Sequence, residues 1–155
     1  MPLVTPQAKN RIILGLMTFG KDPAAGGRIT TLPAFTQCLD HFQSRGYNEV
    51  DTARAYVGTT QESFTADAGW KERGLTLATK LYPHKPGVHR PENVRKQLER
   101  SLKELRTESV DIFYLHAADR SLPFEVTLEE CDRLHKEGKF SQLGLSNFTG
   151  KDYGW

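Results

Sequence analysis

The sequence predicts an α/β fold in which short parallel strands alternate with amphipathic helices. Two observations carry this expectation: β-rich apolar runs and helix-period stretches take turns along the chain, and no tight hairpin signal joins consecutive strands. Strands that follow one another through helices are parallel and joined by right-handed crossovers. A doubly wound sheet and a (β/α) barrel both satisfy this pattern. A third observation separates them: the turn after the first strand, "MTFGKDPAAGGR", lacks the G-x-G-x-x-G spacing of a dinucleotide-binding turn. The barrel is therefore favoured.

The elements follow in order. "RIILGLMTFG" is a short apolar run closed by Gly20 and reads as the first strand, followed by the turn-rich "KDPAAGGRI". Leu32, Phe35, Cys38, Leu39 and Phe42 recur at helical spacing behind Thr30 and Thr31, with Pro33 early and Gly46 past the end. "EVDTA" is a brief second strand. Thr59, with Glu62 three residues on, has the form of a capping box opening a helix that runs to "KERG", where Gly74 stops it. "LTLATKLY" alternates as a third strand, with Leu75, Leu77 and Leu81 on one face and Thr76, Ala78 and Lys80 on the other. Val94, Leu98, Leu102 and Leu105 form the apolar stripe of a helix whose outer side carries Glu99 and Lys103. "VDIFYLHA", "TLEECDRLHKEG" and "FSQLGLSN" complete the series as strand, helix and strand. The chain thus reads as a single unit over 1–155, of (β/α)8 TIM-barrel type and covering its N-terminal part only, about five βα units.

Composition narrows the function classes. A 37% hydrophobic and 26% charged chain of 155 residues suits a soluble domain with a core. The net charge of +2, with basic and acidic residues interspersed, gives no support to a nucleic-acid or anionic-membrane partner. Cys38 and Cys131 have no framework spacing and read as unpaired thiols of a reducing compartment. "MPLVTPQAKN" has no apolar core of signal-peptide length and no run approaches a membrane span, so the expected location is cytoplasmic.

Polar residues cluster at the predicted strand ends. Asp51 ends strand 2, Lys80 lies near the end of strand 3, His116 near the end of strand 4, and Tyr56 follows strand 2 by a few residues. A barrel gathers such positions at its C-terminal rim, where catalytic groups reside. Singly each has an ordinary explanation: Asp51 capping a loop, Tyr56 covering the barrel end, Lys80 reaching solvent, His116 filling the core. Together they suit one chemistry. Asp51, leaving water, needs a cation, and Lys80 is the candidate. The same ammonium beside Tyr56 would stabilise phenolate and ease proton release, while His116 would donate a hydrogen bond to a carbonyl oxygen gaining charge. None of these side chains is a reductant, so a hydride donor such as a nicotinamide cofactor is implied. Ser146 and Asn147, ending strand 5, offer groups that hold a carboxamide, or equally a helix cap in "LSNF". No metal-ligand cluster or carboxylate pair stands out, which disfavours a hydrolase.

The stretches "VDTARAY" (50–56), "LATK" (77–80), "VRKQLERSLKEL" (94–105), "VDIFYLHAADR" (110–120) and "LHKEGKFSQLGLSNF" (134–148) resemble the aldo-keto reductases, specifically the aflatoxin-aldehyde and succinic-semialdehyde reductase branch. The resemblance includes the step from Tyr56 to Glu62 and covers 1–148, leaving 149–155 as a divergent tail. It implies NADPH-dependent reduction of small-molecule aldehydes or ketones to alcohols. Tyr56 is then the proton donor, supported by Lys80 and Asp51, and His116 orients substrate. Asp51 also falls where the family contacts the nicotinamide ribose, and Ser146–Asn147 match its carboxamide contact. The resemblance also allows a role in secondary-metabolite or toxic-metabolite metabolism, and homo-oligomers or pairing with a full-length relative.

A complete barrel of this type takes about 250 residues, with phosphate sites commonly in the loops after strands 7 and 8. The chain is therefore expected to be truncated after strand 5. It would encode one flank of the cofactor site, making its activity doubtful. The alternative expectation is a non-catalytic half-barrel that associates with a full-length reductase.

Overall fold

Parallel strand pairing in register organises the molecule. The computed structural model describes residues 10–153. The opening "MPLVTPQAKN" up to Lys9, read above as lacking a leader, and the last two tail residues lie outside them. Five strands, β1 (Ile13–Gly15), β2 (Glu49–Asp51), β3 (Thr76–Leu81), β4 (Val110–Leu115) and β5 (Phe140–Leu145), form one sheet in the order β1-β2-β3-β4-β5. Every pairing is parallel, with Asp51 opposite Ala78 and Lys80 opposite Tyr114. Helices α1 (Leu32–Ser44), α2 (Gln61–Asp67), α3 (Pro91–Glu104) and α4 (Phe124–Lys136) make the crossovers. Such an all-parallel sheet, each strand beside its sequence neighbours, is the arrangement of a (β/α)8 barrel seen over five of its units.

Local chemistry accounts for most boundaries. Thr31 caps α1, its hydroxyl accepting from the Ala34 N–H at 3.4 Å, and Gly46 closes it at φ 85°. Pro91 opens α3, where its missing N–H costs nothing. α4 begins at Phe124, three residues ahead of the expected run, directly after Pro123.

Two expectations about α2 are corrected. The proposed capping box does not form: Thr59 takes φ 71°, Thr60 precedes the helix without a side-chain cap, and the Glu62 carboxylate turns inward. The helix also stops at Asp67, short of "KERG", because Gly69 adopts the left-handed conformation that ends helices. Strand β1 is likewise shorter than its apolar run. Beyond Gly15 the chain turns, and Phe19 bridges to Ile29.

The two sheet faces differ. One packs beneath the helices, joining Leu77, Leu81, Phe113, Leu115 and Phe140 with Phe35, Leu39, Phe64, Val94, Leu98, Leu102 and Leu134. Phe35 meets Phe19 at 4.8 Å and Phe64 at 5.2 Å between ring centroids. Trp70 reaches across to donate to the Leu105 carbonyl at 3.0 Å, tying the segment before β3 to the end of α3. The other face presents Glu49, Asp51, Thr76, Ala78, Lys80, Ile112 and Tyr114 to an open cleft of about 330 Å³. At Gly144 the Tyr114 ring lies so close that any Cβ would overlap it. The expected division of β3 into a greasy and a small or polar face therefore matches its two environments.

Because Leu98 is fully buried in the α3 stripe, Leu98→Ala is expected to lower unfolding free energy by about 2–5 kcal/mol. Glu99→Ala on the exposed side should change it by less than about 0.5 kcal/mol. Denaturant titration of the two variants checks this contrast, and equal effects would contradict the assigned orientation of the helix.

Candidate active site

The residues predicted to meet do so around the amine of Lys80. β2 delivers Asp51 as its last residue and β3 delivers Lys80 two positions beyond the register partner of Asp51, on the same face. Tyr56 opens the 3₁₀ turn (Tyr56–Thr59) that follows β2. Lys80 Nζ donates to Asp51 Oδ2 at 2.7 Å, to the Thr52 carbonyl at 2.8 Å and to the Tyr56 hydroxyl at 3.1 Å. An ammonium has three N–H donors, so these acceptors saturate it. Asp51 Oδ1 also lies 2.6 Å from Nζ, so both carboxylate oxygens face the charge. The Lys80 side chain is 8% exposed and that of Asp51 26%. Contrary to the expectation of a buried acid needing a cation, the cation is the more deeply buried partner.

The bond direction at Tyr56 matters chemically. Its oxygen accepts from Lys80, so its own O–H remains oriented elsewhere and is available to another acceptor. His116 follows β4, held by its N–H to the Leu81 carbonyl at 2.9 Å. Its ring stands edge-on to Tyr56 at 5.9 Å and to Tyr82 at 5.5 Å. Its Nδ1 is buried and has no hydrogen-bond partner among the described residues. Burial first, then the Lys80 charge, push the His116 imidazole below its ordinary value, with Asp51 opposing. A neutral imidazole, one nitrogen donor and one acceptor, is thus favoured beside Tyr56.

Ser146 and Asn147 reach the same rim. The Ser146 N–H donates to the Leu115 carbonyl at 3.0 Å, and Ser146 shares the cleft wall with Asp51 and Lys80. Asn147, at φ 56°, donates to the His116 carbonyl at 2.7 Å and to Ser146 Oγ at 3.0 Å. The helix-cap reading of this pair is not met: the next turn, Gly150–Tyr153, is preceded by Thr149, whose N–H and hydroxyl bond to Asp152.

Sequence reasoning missed a second charged group beneath the Tyr56 turn. Arg54 and Glu62, with side chains 9% and 0% exposed, pair at 3.2 Å. Arg54 Nη1 also donates to the Thr59 carbonyl at 2.9 Å, and Thr79 Oγ1 donates to Glu62 Oε1 at 2.7 Å. The turn itself is strained, with Val57 at φ 44° and Thr59 at φ 71°. β-Branched residues in that region cost on the order of 1–3 kcal/mol each. The available signal was the polar character of the inward face of α2, where Gln61, Glu62 and Thr65 accompany Phe64.

Neighbouring loops are tied together as well. Buried Asp119 accepts from the His89 N–H at 3.1 Å and from the Ser121 hydroxyl at 2.6 Å, and Ser121 Oγ accepts from the Gly87 N–H at 2.8 Å. Burial opposes ionisation of Asp119, but these hydrogen bonds outweigh it and hold the carboxyl below the usual range.

A parallel barrel-type sheet with its polar cluster at the C-terminal strand ends has the layout of the (β/α)8 class, in which that rim carries the functional groups. The particular family follows from comparison: the Aldo/keto reductase family model matches residues 11–154, and the chain belongs to that family. It is 39% identical over 158 residues to aldo-keto reductase pigE of Monascus ruber, covering 96% of this chain and 46% of that protein. Identity is 40% over 148 residues to aflatoxin B1 aldehyde reductase member 2 of Homo sapiens, covering 93% of this chain and 39% of that one. A solved aldo-keto reductase from Klebsiella pneumoniae in complex with NADPH superposes with a TM-score of 0.73 at 27% identity, covering 92% of this chain and 47% of that structure. The chain spans less than half the length of these proteins.

His89, also buried, is likewise pushed down by burial, with the Asp119 charge opposing. A histidine held below its unfolded value binds a proton more readily when the chain unfolds. Its stabilising contribution is complete above the unfolded value near ~6.5 and is lost as pH falls through it toward the folded one. The denaturation midpoint should therefore drop between about pH 7.5 and pH 5.5. A His89→Gln/His116→Gln double variant should flatten that drop. A midpoint equally steep in the double variant would assign the effect to other groups.

Proposed function

We propose that this chain is the N-terminal part of an NADPH-dependent reductase of small-molecule aldehydes or ketones, with Tyr56 as the proton donor. The observation that carries the reading is the saturated Lys80 amine, which takes the Tyr56 oxygen as its third acceptor. Because Lys80 donates to the phenol oxygen, the phenol hydrogen is left to face another acceptor, and Asp51 holds the amine aimed at it. Tyr56 thereby delivers its proton to the carbonyl oxygen of a substrate in the rim cleft. His116 is the orienting donor to the same oxygen, its neutral ring packed on the Tyr56 edge. Membership of the aldo/keto reductase family supports this assignment of roles.

The donor set suits a nicotinamide nucleotide on one flank. Asp51 and Ser146 share the wall of the inner cleft, and Asn147 is fixed to Ser146 and to the His116 backbone beside it. Asp51 would hold the nicotinamide ribose and the Ser146–Asn147 pair its carboxamide, as in the family pattern. When bound, the cofactor supplies the hydride, which no side chain of the site can. The free thiols of Cys38 and Cys131 fit a reducing compartment, and the cytosol is the proposed location.

One observation favours a second reading. Within the described residues β1 and β5 are the sheet edges, and Ile13, Val126, Leu128 and Leu145 expose apolar surface. Parallel edges of this kind pair readily with other chains. On this reading the chain is a non-catalytic half-barrel held by a full-length relative, or one half of a homo-oligomer. A monomer by sedimentation, with cooperative melting, argues against it.

Fluorescence titration with NADPH, followed by aldehyde-dependent oxidation, tests the first reading. Tyr56→Phe should retain cofactor binding and lose turnover by about 10²–10⁴-fold. Turnover unchanged in Tyr56→Phe would remove Tyr56 from the role. An absence of both NADPH binding and turnover in the parent chain would leave the half-barrel reading.

A further inference from the structure

Glu62 is fully buried, its partner Arg54 keeps only 9% of its side chain exposed, and neither is used by the mechanism above. We propose that the Arg54–Glu62 pair, anchored on β3 by Thr79, is a positioning device that sets Tyr56 against Lys80. The inference rests on the proton-donor reading of Tyr56 and deepens it.

Three features support it. First, both ends of the device belong to the parts that must meet. Arg54 sits two residues before Tyr56 and bonds the Thr59 carbonyl three residues after it, so one guanidinium spans the turn that carries the phenol. Its backbone N–H also donates to the Lys80 carbonyl at 3.2 Å. Second, Thr79 and Lys80 are consecutive on β3 and point to opposite faces. Lys80 holds the Tyr56 hydroxyl from the cleft side, while Thr79 holds the Tyr56 turn from the core side through Glu62. A shift of β3 would carry both supports together, keeping the phenol and amine in step. Third, the turn contains Val57 and Thr59 at positive φ, a conformation that persists only where the surroundings enforce it. Gly20 lies against Val57 with no room for a Cβ, but it packs a side chain and supplies no hydrogen bond to the turn. Among the described residues, the side-chain hydrogen bond to the Thr59 carbonyl comes from Arg54.

A buried ion pair is weak grounds for stability, since apolar residues of similar volume often serve as well. That separates a positioning role from a structural one. The double variant Arg54→Met/Glu62→Leu removes the pair without stranding a charge and is expected to fold. Positioning predicts loss of the nuclear Overhauser contact between the Tyr56 and His116 rings. It also predicts turnover lower on the order of 10²-fold with the NADPH Kd unchanged. A ring contact and turnover equal to the parent's in the folded double variant would overturn the inference. If that variant does not fold, Thr79→Val and Thr79→Ser decide instead. Valine keeps the shape without the hydroxyl and should weaken the ring contact, whereas serine should preserve it. Equal spectra for valine and serine would overturn the proposal. Because the ring contact is read without catalysis, Tyr56→Phe retaining full turnover would refute the proton-donor role while leaving the positioning result legible.

Discussion

The amine of Lys80 has three hydrogens and three acceptors, and the geometry of the site is the consequence. Each acceptor belongs to the β2 strand or the loop that leaves it, while the amine belongs to β3. Parallel pairing with Asp51 opposite Ala78 places Lys80 far enough along β3 for its stem to reach back over the end of β2. A slip of one residue would turn Lys80 toward the helices and away from Asp51, Thr52 and Tyr56. That alternative would strip three hydrogen-bonded acceptors from a buried ammonium, a larger loss than the worth of an ordinary surface ion pair. Register and the polar cluster therefore specify each other.

The rest of the molecule serves as the rigid mount that such a saturated site requires. The helix-side layer is closely packed and apolar, so β3 and β4 have little freedom to move. Loops at the rim are pinned by polar groups with few alternatives: Asp119 joins the β3–α3 and β4–α4 loops, and Asn147 joins the end of β5 to His116. Side chains that do chemistry need such support, because misplacement by about an ångström weakens catalysis severely.

Much of this was legible in the sequence, for identifiable reasons. Strand and helix alternation is written in periodicity, and the Leu77/Lys80 division of β3 follows from its period of two. The convergence of Asp51, Tyr56, Lys80 and His116 followed from topology, since a parallel barrel sends all strand ends to one rim. What escaped were features decided by tertiary context. Glu62 looked like a capping partner because Thr59 stands three residues before it, but the strained turn removes Thr59 from the cap position and the carboxylate finds Arg54 and Thr79 instead. The end of α2 escaped because Gly69 and Gly74 are equally good stop signals in the sequence, and only packing chooses the first. Asp51 was expected to be the buried member of its pair, whereas the open inner cleft leaves it partly wet.

The strand order has a consequence for how the molecule is assembled. Among the described residues each strand pairs only with its neighbours in sequence, so none of these four pairings awaits a segment made much later. Each crossover joins strands adjacent in sequence, which keeps the loop-closure cost of each successive pairing modest and suits stepwise growth of the sheet. A nascent chain adding each βα unit to the last as it leaves the ribosome would have the Asp51–Lys80–Tyr56 cluster in place once the third strand has docked, with His116 arriving on the fourth and its Asn147 tie on the fifth.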